Sequence, residues 1–394
     1  MMSTLGVARI RRSACRLPKV LLLVAGALLA LVACADREIQ VGFVGPLTGV
    51  YSDLGVQGRN GAMLAVEEIN ASGGIAGARI DLLVRDDKNS HQRVVAVDTE
   101  LADVGVVAII GHMTSSASEQ ALEVARAHDL ILLSPTTSTP RLSNREDAFF
   151  RIQGSTDVAA QLLGTWAATD GEFTTAASIR DSENATYADP FNDAFCSAFT
   201  AAGGRIPTEV EFSGAGDGHV LGKLRTVLQT EPDTILIIAS ARDTARIAQA
   251  LRAEGVSSAV LTSGWAATEA LASYGGQAVE GMVTARSISG TTETEAYRGF
   301  AVRYRYRFGR EPSFAAAQSY DAVRVLAAAL ERTHGTRRGL TDALTAIEDF
   351  PGLYGPLTLN EFGDTVVPAQ LFVMEDGSFR PLQPGEWSET GEHR

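Results

Sequence analysis

From residue 39 onward the chain alternates short apolar runs, rich in β-branched residues, with longer stretches whose apolar positions recur at helical spacing, and no long linker interrupts the pattern. Such alternation leaves few architectures open. Parallel strands buried on both faces, each joined to the next by a helix packed back onto the sheet, satisfy it. The first strand is 39–44 (IQVGFV). Val56, Ala62, Met63, Val66 and Ile69 then form a helical stripe that stops at Gly73-Gly74. Strands at 80–84, 106–110 and 131–133 follow, separated by helices at 91–101 and 116–128. A second series begins after Phe149-Phe150-Arg151-Ile152, with helices at 157–168, 188–202, 220–229 and 244–253 between strands at 176–179, 210–212, 234–238 and 259–261. Helices at 294–306 and 314–331 and a strand at 368–374 close the chain. Two α/β lobes with parallel-sheet cores follow, a number that 394 residues accommodate.

The segment before residue 39 lies outside this pattern. Arg9, Arg11, Arg12, Arg16 and Lys19 precede an apolar run at 20–32 that is short for a bilayer span and has the order of a secretory signal. It ends in Leu31-Val32-Ala33-Cys34, which resembles the lipobox of bacterial lipoproteins. That resemblance implies removal of 1–33, lipidation of Cys34, and a place in the periplasm or at the outer face of the membrane. Cys15 leaves with the signal, so Cys196 is left without a disulfide partner. Phe195 and Phe199 flank it at helical spacing, which makes Cys196 a small buried residue rather than a nucleophile.

Lys and Arg total 34 against 47 Asp and Glu, a formal charge of -13, which argues against a nucleic-acid partner. Gly45 and Gly49 lack the G-x-G-x-x-G spacing of a dinucleotide site, and no Walker A motif occurs. The six histidines show no ligand spacing, and Ser240 and Ser263 lack G-x-S-x-G flanks. No cofactor, no metal and no catalysis are expected.

Two loops at the carboxyl ends of strands carry the remaining chemistry, where open α/β sheets bind ligands. Gly111-His112-Met113-Thr114-Ser115-Ser116-Ala117-Ser118-Glu119 opens a helix, with Ser116 and Glu119 spaced as a capping box. Ser134-Pro135-Thr136-Thr137-Ser138-Thr139-Pro140 follows the next strand. Capping, or a rigid turn between prolines, accounts for some of these hydroxyls; two such loops side by side also suit a small polar or anionic ligand.

At this point several segments resemble one family. Val44-Gly45-Pro46-Leu47-Thr48-Gly49, 58–77 (GRNGAMLAVEEINASGGIAG), Asp86-Asp87, Ile110-Gly111-His112, Ser134-Pro135 and Tyr320-Asp321-Ala322-Val323 are similar to the Leu/Ile/Val-binding proteins of bacterial ABC importers, over 39 to about 379. The resemblance implies the type I periplasmic binding protein fold: two Rossmann-like lobes joined by a three-segment hinge, closing on a ligand. The first lobe would hold 39–156 plus 286–355 and the second 157–285 plus 356–384, with a polar tail at 385–394. The crossovers would fall near 153–157, 285–289 and 354–359. It also implies an expected monomer, delivering an amino acid or small organic acid to permease and ATPase subunits, or else feeding a membrane receptor.

Carried over by position, Ser115 would bond the ligand carboxylate, Thr136 would offer a backbone group and Ser138 a hydroxyl and N–H, with Thr137 beside them. Tyr187 would close over the ligand from the second lobe. Asp157 matches an acidic hinge-side residue and also sits where a helix cap belongs. Where the family places a carboxylate for the ligand ammonium, this chain has Trp265, and the loop after 237–238 reads Ala239-Ser240-Ala241-Arg242-Asp243. Either another acid such as Asp157 or Glu183 replaces the missing one, or the ligand carries no ammonium. Trp265 could stack on a planar group; Arg242 could meet an acid or be a solvated helix start.

Overall fold

The computed structural model describes residues 38–213, 219–288, 294–383 and 385–387. Cys34 and the 1–33 segment lie outside the described residues. In the first lobe β1 (Glu38–Gly45) buries Val41, Phe43 and Val44, as a strand covered on both faces must. It lies between β2 (Arg79–Asp86) and β3 (Ile109–Ile110); β4 (Leu132–Ser134) and β5 (Phe149–Arg151) extend the sheet in the order β2-β1-β3-β4-β5. The β1/β3, β3/β4 and β4/β5 pairs are parallel. The connecting helices are α1 (Ser52–Ala71), α2 (His91–Val104) and α3 (Ser115–His128).

The second lobe starts with α4 (Thr156–Ala168) and β6 (Thr175–Asp181). It continues through α5 (Ala185–Ala201), β7 (Arg205–Phe212), α6 (His219–Leu228), β8 (Thr234–Ile238) and α7 (Ala241–Ala253). Then come β9 (Ala259–Ser263), α8 (Glu269–Gly275) and β10 (Val283–Ser287). The chain returns to the first lobe for α9 (Glu295–Phe308), α10 (Phe314–Arg332), α11 (Leu340–Thr345) and a small ribbon of β11 (Phe350–Pro351) with β12 (Pro356–Leu357). It ends in the second sheet with β13 (Ala369–Glu375) and β14 (Ser378–Pro381), giving the order β14-β13-β10-β9-β8-β6-β7.

Each sheet is sandwiched between two apolar layers. Phe43, Ile110 and Leu133 face the layer that holds Phe300, Tyr304 and the alanines of α10; Val44, Ile109 and Leu132 face Val94, Leu101 and Ala121. In the second lobe Ile235 and Ile237 point one way, Leu236 and Ile238 the other, the two-residue period of a strand. The helices approach closely where side chains are missing. A Cβ on Gly61 of α1 would lie 1.9 Å from the carbonyl oxygen of Ala316 on α10, so only glycine lets these helices meet backbone to backbone.

Three passages join the lobes, and they are bonded to one another. Gln153 donates to the Ser287 carbonyl (3.1 Å), Ser287 Oγ donates to the Ser155 carbonyl (3.1 Å), and the Ile288 amide donates to the Pro368 carbonyl (3.0 Å). The third passage lies later than the expected 354–359. Leu357 and Leu359 remain in the first core, Arg151 pairs with Asp364 at 2.8 Å, and Thr365 donates to the Arg151 carbonyl (2.7 Å), so the chain leaves the first lobe only after residue 364.

Three further features depart from the sequence reading. The second sheet is not wholly parallel, because β13 pairs antiparallel with β10 and with β14. Its hairpin turns at Asp376-Gly377, both at positive φ, the two-residue turn that matches strand twist. β7 runs from Arg205, not Val210, since its early residues alternate between half-buried and exposed as an edge strand does. Finally, the tail is not wholly polar fringe: Trp387 packs edge-on against Trp166 at 5.3 Å.

Candidate ligand site between the lobes

The hydroxyl loops after β3 and β4 are welded into one wall by a buried charge cluster. His112 is fully buried, with Nδ1 2.8 Å from Asp87 Oδ2 and Nε2 3.0 Å from Asp98 Oδ2. Burial disfavours a charged imidazole, yet the two carboxylates outweigh it and hold the group up to about 10. The His112 carbonyl accepts from Ser134 Oγ (2.6 Å), and Thr136 Oγ1 donates to the Met113 carbonyl (2.6 Å). Thr137 Oγ1 meets Ser118 Oγ at 2.7 Å. These hydroxyls are spent on structure. Those of Ser115 and Ser138 are not: among the described residues neither has a hydrogen-bond partner, and both line a cavity of about 50 Å³ between the lobes, several times what one water needs.

Across that cavity stand Asn184 and Tyr187 from the start of α5, Gly264 and Trp265 from the turn after β9, and Arg286 from the hinge strand β10. Phe314, Gln318 and Tyr354 close it from the first lobe. Trp265 is wedged between Tyr51 (5.4 Å between ring centroids) and Tyr187 (5.7 Å). Burial pushes the Tyr187 phenol above its ordinary value, so it stays neutral and able to donate.

The lobes also touch directly. Tyr51 donates to Asp181 (2.6 Å) and Thr268 to Asp53 (3.1 Å). The Ser116 amide donates to Asn184 Oδ1 (3.1 Å) and Thr186 Oγ1 donates to Glu119 Oε2 (2.6 Å). This overturns the expected capping box. Thr114 caps α3 instead, accepting from the Ala117 amide at 3.4 Å, and Glu119 reaches across to the other lobe.

The sequence candidates divide accordingly. Ser115, Thr136, Ser138, Tyr187 and Trp265 line the cavity. Thr137 is buried behind the wall it helps to tie. Ser240 caps α7 by accepting from the Asp243 amide (3.2 Å), Arg242 is exposed on the first turn of that helix, and Asp157 sits in the first turn of α4; none of the three lines the cavity. Arg286, Gln318, Phe314 and Tyr354 were missed. An arginine inside the otherwise uncharged and buried strand 283–287 was the available signal, since a charge seldom sits in such a strand without a task. Cys196 is half-buried, its thiol pushed up to about 12 by burial, which suits a packing residue. Among the described residues no cluster of three or more His, Cys, Asp or Glu could hold a metal ion, and no helix is long and apolar enough to cross a membrane.

Comparisons with known proteins agree with this geometry. The Leu/Ile/Val-binding protein BraC3 of Rhizobium johnstonii is 25% identical over 85% of this chain and 91% of its own length. The leucine-, isoleucine-, valine-, threonine- and alanine-binding protein of Pseudomonas aeruginosa is 27% identical over 38% of this chain, and the match spans 40% of that relative's length. The branched-chain amino-acid transporter substrate-binding protein LivJ from Streptococcus pneumoniae, solved with isoleucine, superposes with a TM-score of 0.81 at 23% identity, covering 88% of this chain and all of the other. The profile described as periplasmic binding protein matches residues 38–378. Two lobes with parallel-sheet cores, three mutually bonded crossovers and a polar seam between them are the type I form of that fold, and the chain belongs to the periplasmic binding protein family.

Proposed function

We propose that this protein is the solute-binding lipoprotein of an ABC importer, tethered outside the cytoplasm through Cys34, that traps one small amino-acid-like or carboxylate-bearing ligand between its lobes and hands it to a permease unchanged. The observation that carries the reading is the seam itself. It has two unengaged serine hydroxyls on one wall, aromatic rings on the other, and a hinge along its back. The relatives' names support a transport role, and the tied loops support a preformed ligand wall. A ligand present at about 100 times its Kd adds about 2.7 kcal/mol to the folded state. Thermal-shift screening of amino acids and small organic acids should therefore raise the melting temperature for one chemical class, and the Ser115→Ala, Ser138→Ala double variant should lose that shift. A flat response across all classes would remove the reading's support. The anchor is tested separately by labelled-palmitate incorporation, expected in the wild type and absent in Cys34→Ala.

A further inference from the structure

The cavity is lined by charge at one point only. Of the residues that line it, Arg286 alone is ionic: no aspartate, glutamate, lysine or histidine shares the wall. Its guanidinium lies 5.7 Å from the ring centroid of Phe314 and 5.3 Å from that of Phe372. Ring faces orient a cation without cancelling its charge. Among the described residues no carboxylate forms an ion pair with Arg286. Glu269, at the start of α8, feels its field but neither pairs with it nor lines the cavity.

An α-ammonium brought into this space would meet a like charge and no acid. Gln318 offers a buried amide oxygen without a partner, but that is a neutral acceptor and does not balance a cation. Of the acids at the meeting of the lobes, Asp181 accepts from Tyr51 and Asp53 from Thr268, while Asp157, beside Thr156 of the wall, keeps one buried oxygen without a partner but does not itself line the cavity. A carboxylate, by contrast, would supply the charge that the guanidinium lacks, in the planar geometry its fork accepts. The rest of the wall is flat and apolar. Trp265, Tyr187, Phe314 and Tyr354 present rings, with Leu54 and Met113 between them.

We infer that the seam takes a small aromatic carboxylate lacking an ammonium group, with Arg286 as its counter-charge. The inference rests on the ligand-trapping reading above and narrows it to one chemical class.

Isothermal titration of the purified protein against benzoate, 4-hydroxybenzoate, phenylacetate, the neutral benzamide, phenylalanine and leucine tests it, with Arg286→Gln and Arg286→Lys alongside the wild type. At least one of the three acids should bind, at least about tenfold more tightly than phenylalanine or leucine. Arg286→Gln should weaken that acid by about 10- to 100-fold, the range for a hydrogen bond to a charged group, and leave benzamide unchanged; Arg286→Lys should recover part of the loss. Leucine or phenylalanine binding as tightly as every acid, or an acid held equally well by Arg286→Gln, overturns the ligand class while leaving the trap intact. Silence from all six compounds overturns the class, and a flat thermal-shift screen besides would take the trap with it. Should Arg286→Gln fail to fold, the wild-type preference for acid over benzamide and the Arg286→Lys titration decide the matter.

Discussion

Replacing His112 by glutamine should convert the centre of the first lobe from a neutralised cluster into two facing carboxylates. The side chain is fully buried and touches both Asp87 and Asp98. Its proton affinity rises from the ordinary 6.5 to about 10 on folding. At about 1.4 kcal/mol for each tenfold in proton affinity, that corresponds to about 5 kcal/mol. Independently, leaving a buried charge without its partner costs about 3–5 kcal/mol. Because the folded value is raised, the stabilisation is full below pH 6.5 and is lost as pH climbs towards 10. Urea unfolding of both proteins across pH 5–10 gives the difference curve directly. A deficit of about 3–5 kcal/mol at pH 7 and below, shrinking as pH climbs towards 10, is expected. A variant within about 1 kcal/mol of the wild type, with a flat difference, would refute the claim that the imidazolium holds this cluster together.

Three other outcomes follow from the geometry. Glu119→Gln weakens the acceptor that Thr186 reaches across the seam, and a lost hydrogen bond to a charged group is worth about 1.5–3 kcal/mol; small-angle scattering should show a larger unliganded radius, and no change would mean the contact does not hold the lobes. Gly61→Ala places a methyl 1.9 Å from the Ala316 carbonyl, so about 1–3 kcal/mol should be lost to separation of α1 and α10, read by chemical denaturation and absent if the helices yield freely. Cys196, with its thiol pushed up to about 12, should react with a maleimide at pH 8 far more slowly folded than unfolded, and equal rates would contradict its packing role.

The repeating strands and helices were legible because burial on both faces writes itself as continuous apolar runs, and α10, rich in alanine, lies within two residues of its expected limits. What escaped notice had weaker local signatures. Edge strand β7 alternates instead of running apolar, and β14 is four residues long behind a turn whose Asp-Gly signal went unused. In the site, the serine and threonine loops announced themselves by composition, but which hydroxyls stay free depends on partners far along the chain. Thr137 and Ser115 look alike in sequence, yet one is bonded to Ser118 and the other faces the cavity. Arg286 was hidden because the hinge strand pairs with β13, more than eighty residues later, and only that pairing brings the guanidinium between Phe314 and Phe372.

The wedge of Trp265 between Tyr51 and Tyr187 makes the protein its own optical gauge. Tyr51 belongs to one jaw and Trp265 to the other, so their rings are neighbours only while the jaws are shut. The remaining tryptophans, Trp166 and Trp387, lie against each other away from the mouth and should glow steadily whatever the jaws do. Emission from a single indole can then follow opening and capture in real time, with no dye attached.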